Sequence, residues 1–275
     1  MPLYQAVALA VVQGLTEFLP ISSTAHLALF PWILHWKDPG LTFEVALHVG
    51  TLLAVLIYFG RTWVDLASAA LGLGRPESAD LRRNRELFWF LFLGTLPAAF
   101  AGWFFEHAAE HELRRPVVIG AALIAVALLM WAGERMKTHE RKLGEINFAD
   151  SLIVGVAQAL AVIPGVSRSG VTMTAGLFLG MSRETSARFS FLLSTPVIAG
   201  AALKRFVEVR RQGLAAEMHL PFLIGILVAA VVGYMVIAVL IRYLERRTFK
   251  IFVVYRVALG VLVLALGWGL RHTAG

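Results

Sequence analysis

The chain contains no cysteine, which excludes disulfides and thiolate metal sites and leaves the redox compartment unread. Charge is scarce: Asp, Glu, Lys and Arg make up 16% of the 275 residues, against about 25% in a soluble domain. Strand-like alternation of apolar and polar residues is missing, so a membrane β-barrel is not expected. The opening Met1-Pro-Leu-Tyr4 has no basic stretch, and a secretory signal peptide is not expected either. What remains is apolar. Hydrophobic residues reach 58%, the mean hydropathy is +0.73, and the apolar residues run in long blocks. The composition points to an all-α, polytopic membrane protein forming one integral membrane domain over residues 1–275. The net charge of +7 lies in short loops beside apolar runs, a placement that suits topology and anionic lipid; no nucleic-acid partner is expected.

Six segments are long enough to span, at roughly 20 residues each: about 42–60, 86–106, 116–135, 185–207, 219–242 and 249–271. Residues 3–35 and 148–182 are also apolar, but each is split, at Pro20-Ile-Ser-Ser-Thr24 and at Pro164-Gly-Val-Ser-Arg-Ser-Gly170. Each half is too short to cross alone, so each split segment is expected to form a re-entrant helical hairpin. Non-helical backbone at membrane depth has to be buried in protein or line a cavity. The two breaks align at a constant offset of 145: Gln13 falls on Gln158, Leu15 on Leu160, Ser22 on Ser167 and Thr24 on Ser169. A hairpin followed by three spans recurs in each half. Three is odd, so the second copy is inverted across the membrane. Repeat 1 covers about 1–135 and repeat 2 about 148–271.

Orientation follows from Lys and Arg. The face reached by 61–86, 135–147, 183 and 242–250 carries fourteen of them, the opposite face eight. The positive-inside rule puts the first face in the cytoplasm and both termini outside.

The breaks carry the chemistry. In each, hydroxyl residues follow a Pro and precede a new helix, as N-caps do. A helix N-terminus offers free N–H groups and a dipole to an anion, phosphate above all. If the two N-termini converge, Ser22, Ser23, Thr24, Ser167 and Ser169 line the same spot, and Arg168 brings a planar fork of donors suited to phosphate. The copies differ in charge: Glu17 falls on Val162, His26 on Val171, and Arg168 on Ser23. One copy supplies a carboxylate and an imidazole, the other a cation. Together they offer an acid/base or metal ligand, a nucleophile or base, and a clamp for transition-state charge. Each residue also has a plainer reading: a cap for the Ser-Ser-Thr run, a helix-surface pair for Glu17 with Gln13, a structural His26, an anchoring Arg168. Elsewhere, Glu44 and His48 share one helix face, as a cavity wall or as a mutual pair. Arg188 and Arg256 read as structural pairs or anchors. His107, Glu110 and His111 read as a solvated loop.

The string Gln13-Gly-Leu-Thr-Glu-Phe-Leu-Pro-Ile-Ser-Ser-Thr-Ala-His26 resembles the first signature of the undecaprenyl-diphosphate phosphatase family, the type known for bacitracin resistance. Pro164-Gly-Val-Ser-Arg-Ser-Gly170 resembles the second, and the similarity extends to Thr42-Phe-Glu44 and Ala187-Arg-Phe-Ser-Phe191. The resemblance implies a multi-pass hydrolase of the bacterial inner membrane. Such an enzyme removes the terminal phosphate of undecaprenyl diphosphate, a lipid, and regenerates the carrier for peptidoglycan synthesis. It also implies a divalent cation, Mg²⁺ or Ca²⁺. By resemblance Glu17 is the essential acid, His26 and Arg168 are the motif histidine and arginine, Ser23 and Thr24 the hydroxyl pair, and Ser167 the serine before the arginine. Gln13 stands where the family commonly has Glu, and Ala25 where it has Gly, so a metal site built on Glu17 and position 13 has one carboxylate fewer. Two routes stay open: attack by Ser23 with His26 as base, or by a metal-bound water activated by His26. The active site is expected on the outer side. A lipid-carrier flippase is the alternative of a different class, and a homodimer stays open.

Overall fold

The computed structural model describes residues 1–37, 39–73, 80–81, 85–107, 113–136, 140–212 and 216–273. Arg75, Arg82, Arg83 and Lys137 of the charge count, and Glu110 and His111, lie outside them. The described residues form eleven α-helices, in order: α1 (Leu3–Phe18), α2 (Ser23–Ile33), α3 (Leu41–Tyr58), α4 (Gly60–Ala70), α5 (Leu87–His107), α6 (Pro116–Glu134), α7 (Phe148–Ala159), α8 (Arg168–Phe178), α9 (Arg183–Gln212), α10 (Ala216–Leu244) and α11 (Lys250–Thr273). The described residues contain no β-strand.

Among the described residues, five helices, α5, α6, α9, α10 and α11, are long and apolar enough to cross a membrane. A sixth crossing, expected at 42–60, exists only as the pair α3–α4, bent by 71°. The sequence reading placed residues 61–70 in a loop. They continue instead as a helix because it buries Leu66 and Ala69 while its polar residues remain outside the apolar count of a span.

The split segments are hairpins. Pro20 cannot donate to the helix ladder, and the residue before it is biased away from helical backbone, so α1 ends at Phe18 with Leu19 extended. Pro164 has the same effect after a short 3₁₀ turn, Leu160–Val162. α1 packs on α2, and α7 on α8. The two hairpins open toward opposite ends of the molecule. Tyr4 at the start of α1 meets Trp36 just past α2, ring centroids 5.8 Å apart. At that end the terminal amine of Met1 reaches Met218 at 3.5 Å, and Arg114 holds Glu44. At the other end, Arg141 bonds both Asp150 near the start of α7 and the carbonyl of Leu179 past α8. Asp80 bonds Gly144 there. Glu134 takes Arg183 in a two-point pair at 2.8 and 2.9 Å and also accepts the N–H of Phe249 at 3.0 Å. These two groups of ends coincide with the two faces separated by Lys and Arg.

The pairings exchange between halves. α1 packs on α10, the second span of the second half, and α7 packs on α5, the second span of the first. α3 lies between α9 and α10, and α9 contacts α5 as well. At the α5–α7 crossing the backbones touch: a Cβ on Gly155 would lie 1.9 Å from the carbonyl oxygen of Gly94, so no side chain fits there. Small residues permit this approach between membrane helices. The main core lies where α1, α5, α8, α9 and α10 meet, around Phe18, Phe189 and Phe191.

Candidate active site

Both breaks end on a serine in the left-handed region, Ser22 at φ 76° and Ser167 at φ 68°. Each caps the helix that follows: Ser22 Oγ accepts from the N–H of Ala25 at 3.4 Å, and Ser167 Oγ from that of Gly170 at 3.1 Å. A serine held at such φ is strained by about 1–3 kcal/mol, and strain of this kind clusters at functional sites. The same offset that aligned the sequences relates the two caps.

Glu17, at the end of α1, is the hub. Its Oε2 accepts from Ser23 Oγ at 2.6 Å and from Gln13 Nε2 at 3.1 Å, and lies 3.4 Å from His48 Nε2. Its Oε1 accepts from Arg168 Nη2 at 2.8 Å. Ser169 donates from its Oγ toward the carbonyls of Glu17 and Leu19, at 3.2 and 3.1 Å, and Ser167 Oγ is 3.2 Å from Ser169 Oγ. Glu17 and Arg168 open into a small cavity completed by Ser169, Ser190 and Ser194 with Phe18 and Phe191. Ser190 is fixed by Thr172 at 2.6 Å. Glu17, Ser23, Arg168, Ser167 and Ser169 are therefore brought together, from helices 150 residues apart in sequence.

His26 is placed elsewhere. Its Nδ1 lies 2.7 Å from the carbonyl oxygen of Ser22 and its Nε2 2.6 Å from the hydroxyl of Tyr255. A carbonyl only accepts, so Nδ1 carries the hydrogen, and Nε2 presents its lone pair to the tyrosine O–H. Both nitrogens are engaged away from Ser23. Ser22 joins this arrangement through its carbonyl, and the Thr24 hydroxyl makes no hydrogen bond among the described residues. Glu44 pairs with Arg114, not with His48; the backbone carbonyl of Glu44 instead accepts from His48 Nδ1 at 2.8 Å. That contact aims His48 Nε2 at Glu17. Arg188 pairs with Glu184 at 3.3 Å.

Sequence reasoning missed His48 as a site residue and Tyr255 altogether. The signal for His48 was an imidazole at i+4 from an acidic residue inside an apolar span. For Tyr255 it was a phenol next to Arg256 inside the last span. Arg141 lies outside the spans, and the hydrogen bonds it donates to Asp150 hold its guanidinium above the ordinary arginine range.

The donors do not make a resident divalent-cation site. Both oxygens of Glu17 are taken by hydrogen-bond donors, one of them from Arg168, and Gln13 offers a single neutral oxygen. That Oε1 is buried without a partner. No group of three or more acidic or imidazole side chains suited to a metal occurs among the described residues. What the arrangement can do is bind an anion and move a proton. A hydroxyl sits on a carboxylate whose far oxygen is held by an arginine, beside two capped helix N-termini.

Comparison with known proteins agrees with these features. The family described as "Bacitracin resistance protein BacA" matches residues 6–262 of the chain. An undecaprenyl-diphosphatase of Moorella thermoacetica is 49% identical over 268 residues, covering 98% of this chain and 99% of the relative. Proteins of the same description are similar in Thermomicrobium roseum, at 46% identity over 272 residues, and in Pelotomaculum thermopropionicum, at 44% over 266. Coverage of both chains is 96% or more in each case.

Proposed function

The chain belongs to the bacitracin resistance protein BacA family, and from that membership we propose that it hydrolyses undecaprenyl diphosphate to undecaprenyl phosphate and inorganic phosphate. In a bacterial inner membrane this recycles the lipid carrier for peptidoglycan synthesis and lowers sensitivity to bacitracin. The observation that carries the reading is the contact of Ser23 Oγ with Glu17 Oε2 at 2.6 Å while Arg168 holds Oε1 at 2.8 Å.

The terminal phosphoryl group binds in the cavity at Arg168, whose remaining N–H groups and the first turns of α2 and α8 face its oxygens. Ser23 Oγ attacks phosphorus in line. Its proton passes to Glu17 Oε2, an oxygen–phosphorus bond forms, and the bond to the bridging oxygen breaks, with the electron pair leaving on the lipid monophosphate. Glu17 passes that proton to the departing lipid phosphate and is again a carboxylate; water then attacks the phosphoserine, giving a proton to Glu17 Oε2, which hands it to Ser23 Oγ as the serine–phosphorus bond breaks and inorganic phosphate leaves. Charge stabilisation by Arg168 and by fixed N–H dipoles supplies what phosphoryl transfer requires. The geometry favours Glu17 over His26 as the proton acceptor, because His26 is turned to Tyr255. A magnesium or calcium ion bound with the diphosphate would be held mainly by phosphate oxygens and would add charge stabilisation.

The two halves act as inverted repeats, about 1–135 and 148–271. The opposed hairpins, matching caps and exchanged helix pairings support this. The Lys and Arg asymmetry supports an outward-facing site.

The test is phosphate release from undecaprenyl diphosphate by purified protein in detergent, with acid quenching of radiolabelled substrate to trap phosphoserine. Wild type should release phosphate without any membrane gradient, which a flippase would not. Ser23→Ala should do neither. Turnover by Ser23→Ala near the wild-type rate would move the attack to water.

A further inference from the structure

Arg256 lies in the second turn of a spanning helix, α11, with no exposed surface. A charged side chain buried in a span pairs with an opposite charge or with backbone carbonyls. This one takes the second course alone. Its partners are five backbone carbonyls: Pro20 at 3.1 Å, Gly165 at 2.9 Å, Val166 at 3.0 Å, Leu123 at 3.2 Å and Ala122 at 3.5 Å. Pro20 belongs to the first break, Gly165 and Val166 to the second, and the other two to α6. The carbonyls of the breaks are the acceptors left over where helices are interrupted, and burial without a partner would be costly.

One planar side chain therefore holds the backbone of both breaks and fixes them against α6. The N-terminal turn of α8 is seated on it: a Cβ on Gly170 would lie 3.1 Å from Arg256 Nη1. The neighbouring residue, Tyr255, holds His26 of α2. This turn of α11 thus touches both hairpins from behind the site, while Ser169 joins them from within it. The positive charge meets no carboxylate among the described residues, so no adjacent acid cancels its field at the two N-termini, although its N–H groups are taken by the carbonyls.

We propose that Arg256 is a positioning residue for phosphoryl transfer: it sets the spacing between the Glu17–Ser23 half of the site and the Arg168 half, and its buried charge helps retain the diphosphate headgroup. Lys cannot reproduce this, because one ammonium has three donors and no fixed plane. A small error in spacing is enough to slow the reaction, since a misplacement of about 1 Å costs on the order of 100-fold.

This proposal rests on the hydrolase reading, and its test keeps the two apart by measuring anion affinity as well as turnover. Arg256→Lys keeps the charge, Arg256→Met removes it, and both are compared with wild type in detergent. The readouts are the unfolding midpoint, kcat and KM on undecaprenyl diphosphate, and the calorimetric affinity for inorganic pyrophosphate. Arg256→Lys should lose roughly 10- to 100-fold in kcat with pyrophosphate affinity retained. Arg256→Met should lose kcat similarly and bind pyrophosphate roughly tenfold more weakly, as removal of a nearby charge implies. Wild-type kcat in either folded variant overturns the proposal, as does the same pyrophosphate affinity in all three proteins. If neither variant folds, Gly170→Ala decides, because its methyl presses on the guanidinium from the site side. It should lower kcat roughly tenfold, and unchanged kcat would overturn the positioning role. A wild-type protein that releases no phosphate would defeat the hydrolase reading alone, leaving the pyrophosphate comparison to decide the role of the charge.

Discussion

Arg168 and Glu17 show how much one contact commits. Arg168→Lys keeps a positive charge but loses the fork, and kcat should fall on the order of 100-fold or more, read as phosphate release in detergent. Turnover near wild type would make Arg168 an anchor. His48→Ala removes the imidazole that faces Glu17 Oε2 and should lower kcat roughly tenfold while KM changes little; an unchanged kcat would reduce His48 to cavity wall. Gln13 tests the cation. Gln13→Glu sets a second carboxylate beside Glu17 and builds the two-carboxylate site that this chain lacks. The metal concentration for half-maximal activity should therefore fall in Gln13→Glu and rise or hold in Gln13→Ala. Identical values in the three proteins would leave Gln13 a hydrogen-bonding partner of Glu17 only. Most of the hub was legible in the sequence, because hydroxyls, a carboxylate and an arginine at membrane depth have few other uses. The direction of His26 was not. A ring four residues from Ser22 reaches that carbonyl by local geometry, but its second partner sits on α11, 229 residues away, where no spacing rule reaches.

Among the elements, helix ends carry much of the fixation. Glu134 joins the end of α6 to the starts of α9 and α11 through Arg183 and the N–H of Phe249. Glu134→Ala would leave a buried donor and an unpaired guanidinium. It should cost about 3 kcal/mol, seen as a lower unfolding midpoint in detergent, with the kcat of the folded fraction preserved. A midpoint equal to wild type would show that apolar packing alone sets those ends. The long spans were legible because their apolar runs match the membrane thickness. The bend after Tyr58 was not: α4 carries Arg61 and Asp65 and reads as loop by composition, yet two buried contacts, Leu66 and Ala69, are enough to keep it helical against the core.

At the scale of the molecule, the two groups of ends give topology a direct test. With no native cysteine, a single introduced thiol reports alone. Lys37→Cys should react with an impermeant reagent in intact cells, and Arg247→Cys only after permeabilisation. The opposite pattern would invert the orientation and put the site at the inner leaflet. The offset of 145 in the sequence also relates Ser22 and Ser167, two caps of similar geometry. Three identities in fourteen aligned positions could not tell that the backbones match where the side chains do not, as at Ser23 and Arg168. Those two caps also weigh on durability. Two serines at positive φ together cost about 2–6 kcal/mol, a considerable share of the 5–15 kcal/mol that typically keeps a domain folded. Glycine adopts that backbone freely and gives up only a few tenths of a kcal/mol as a cap. A breeder selecting for heat resistance alone would therefore drift toward glycine at both positions and harvest a hardier protein with a slower site.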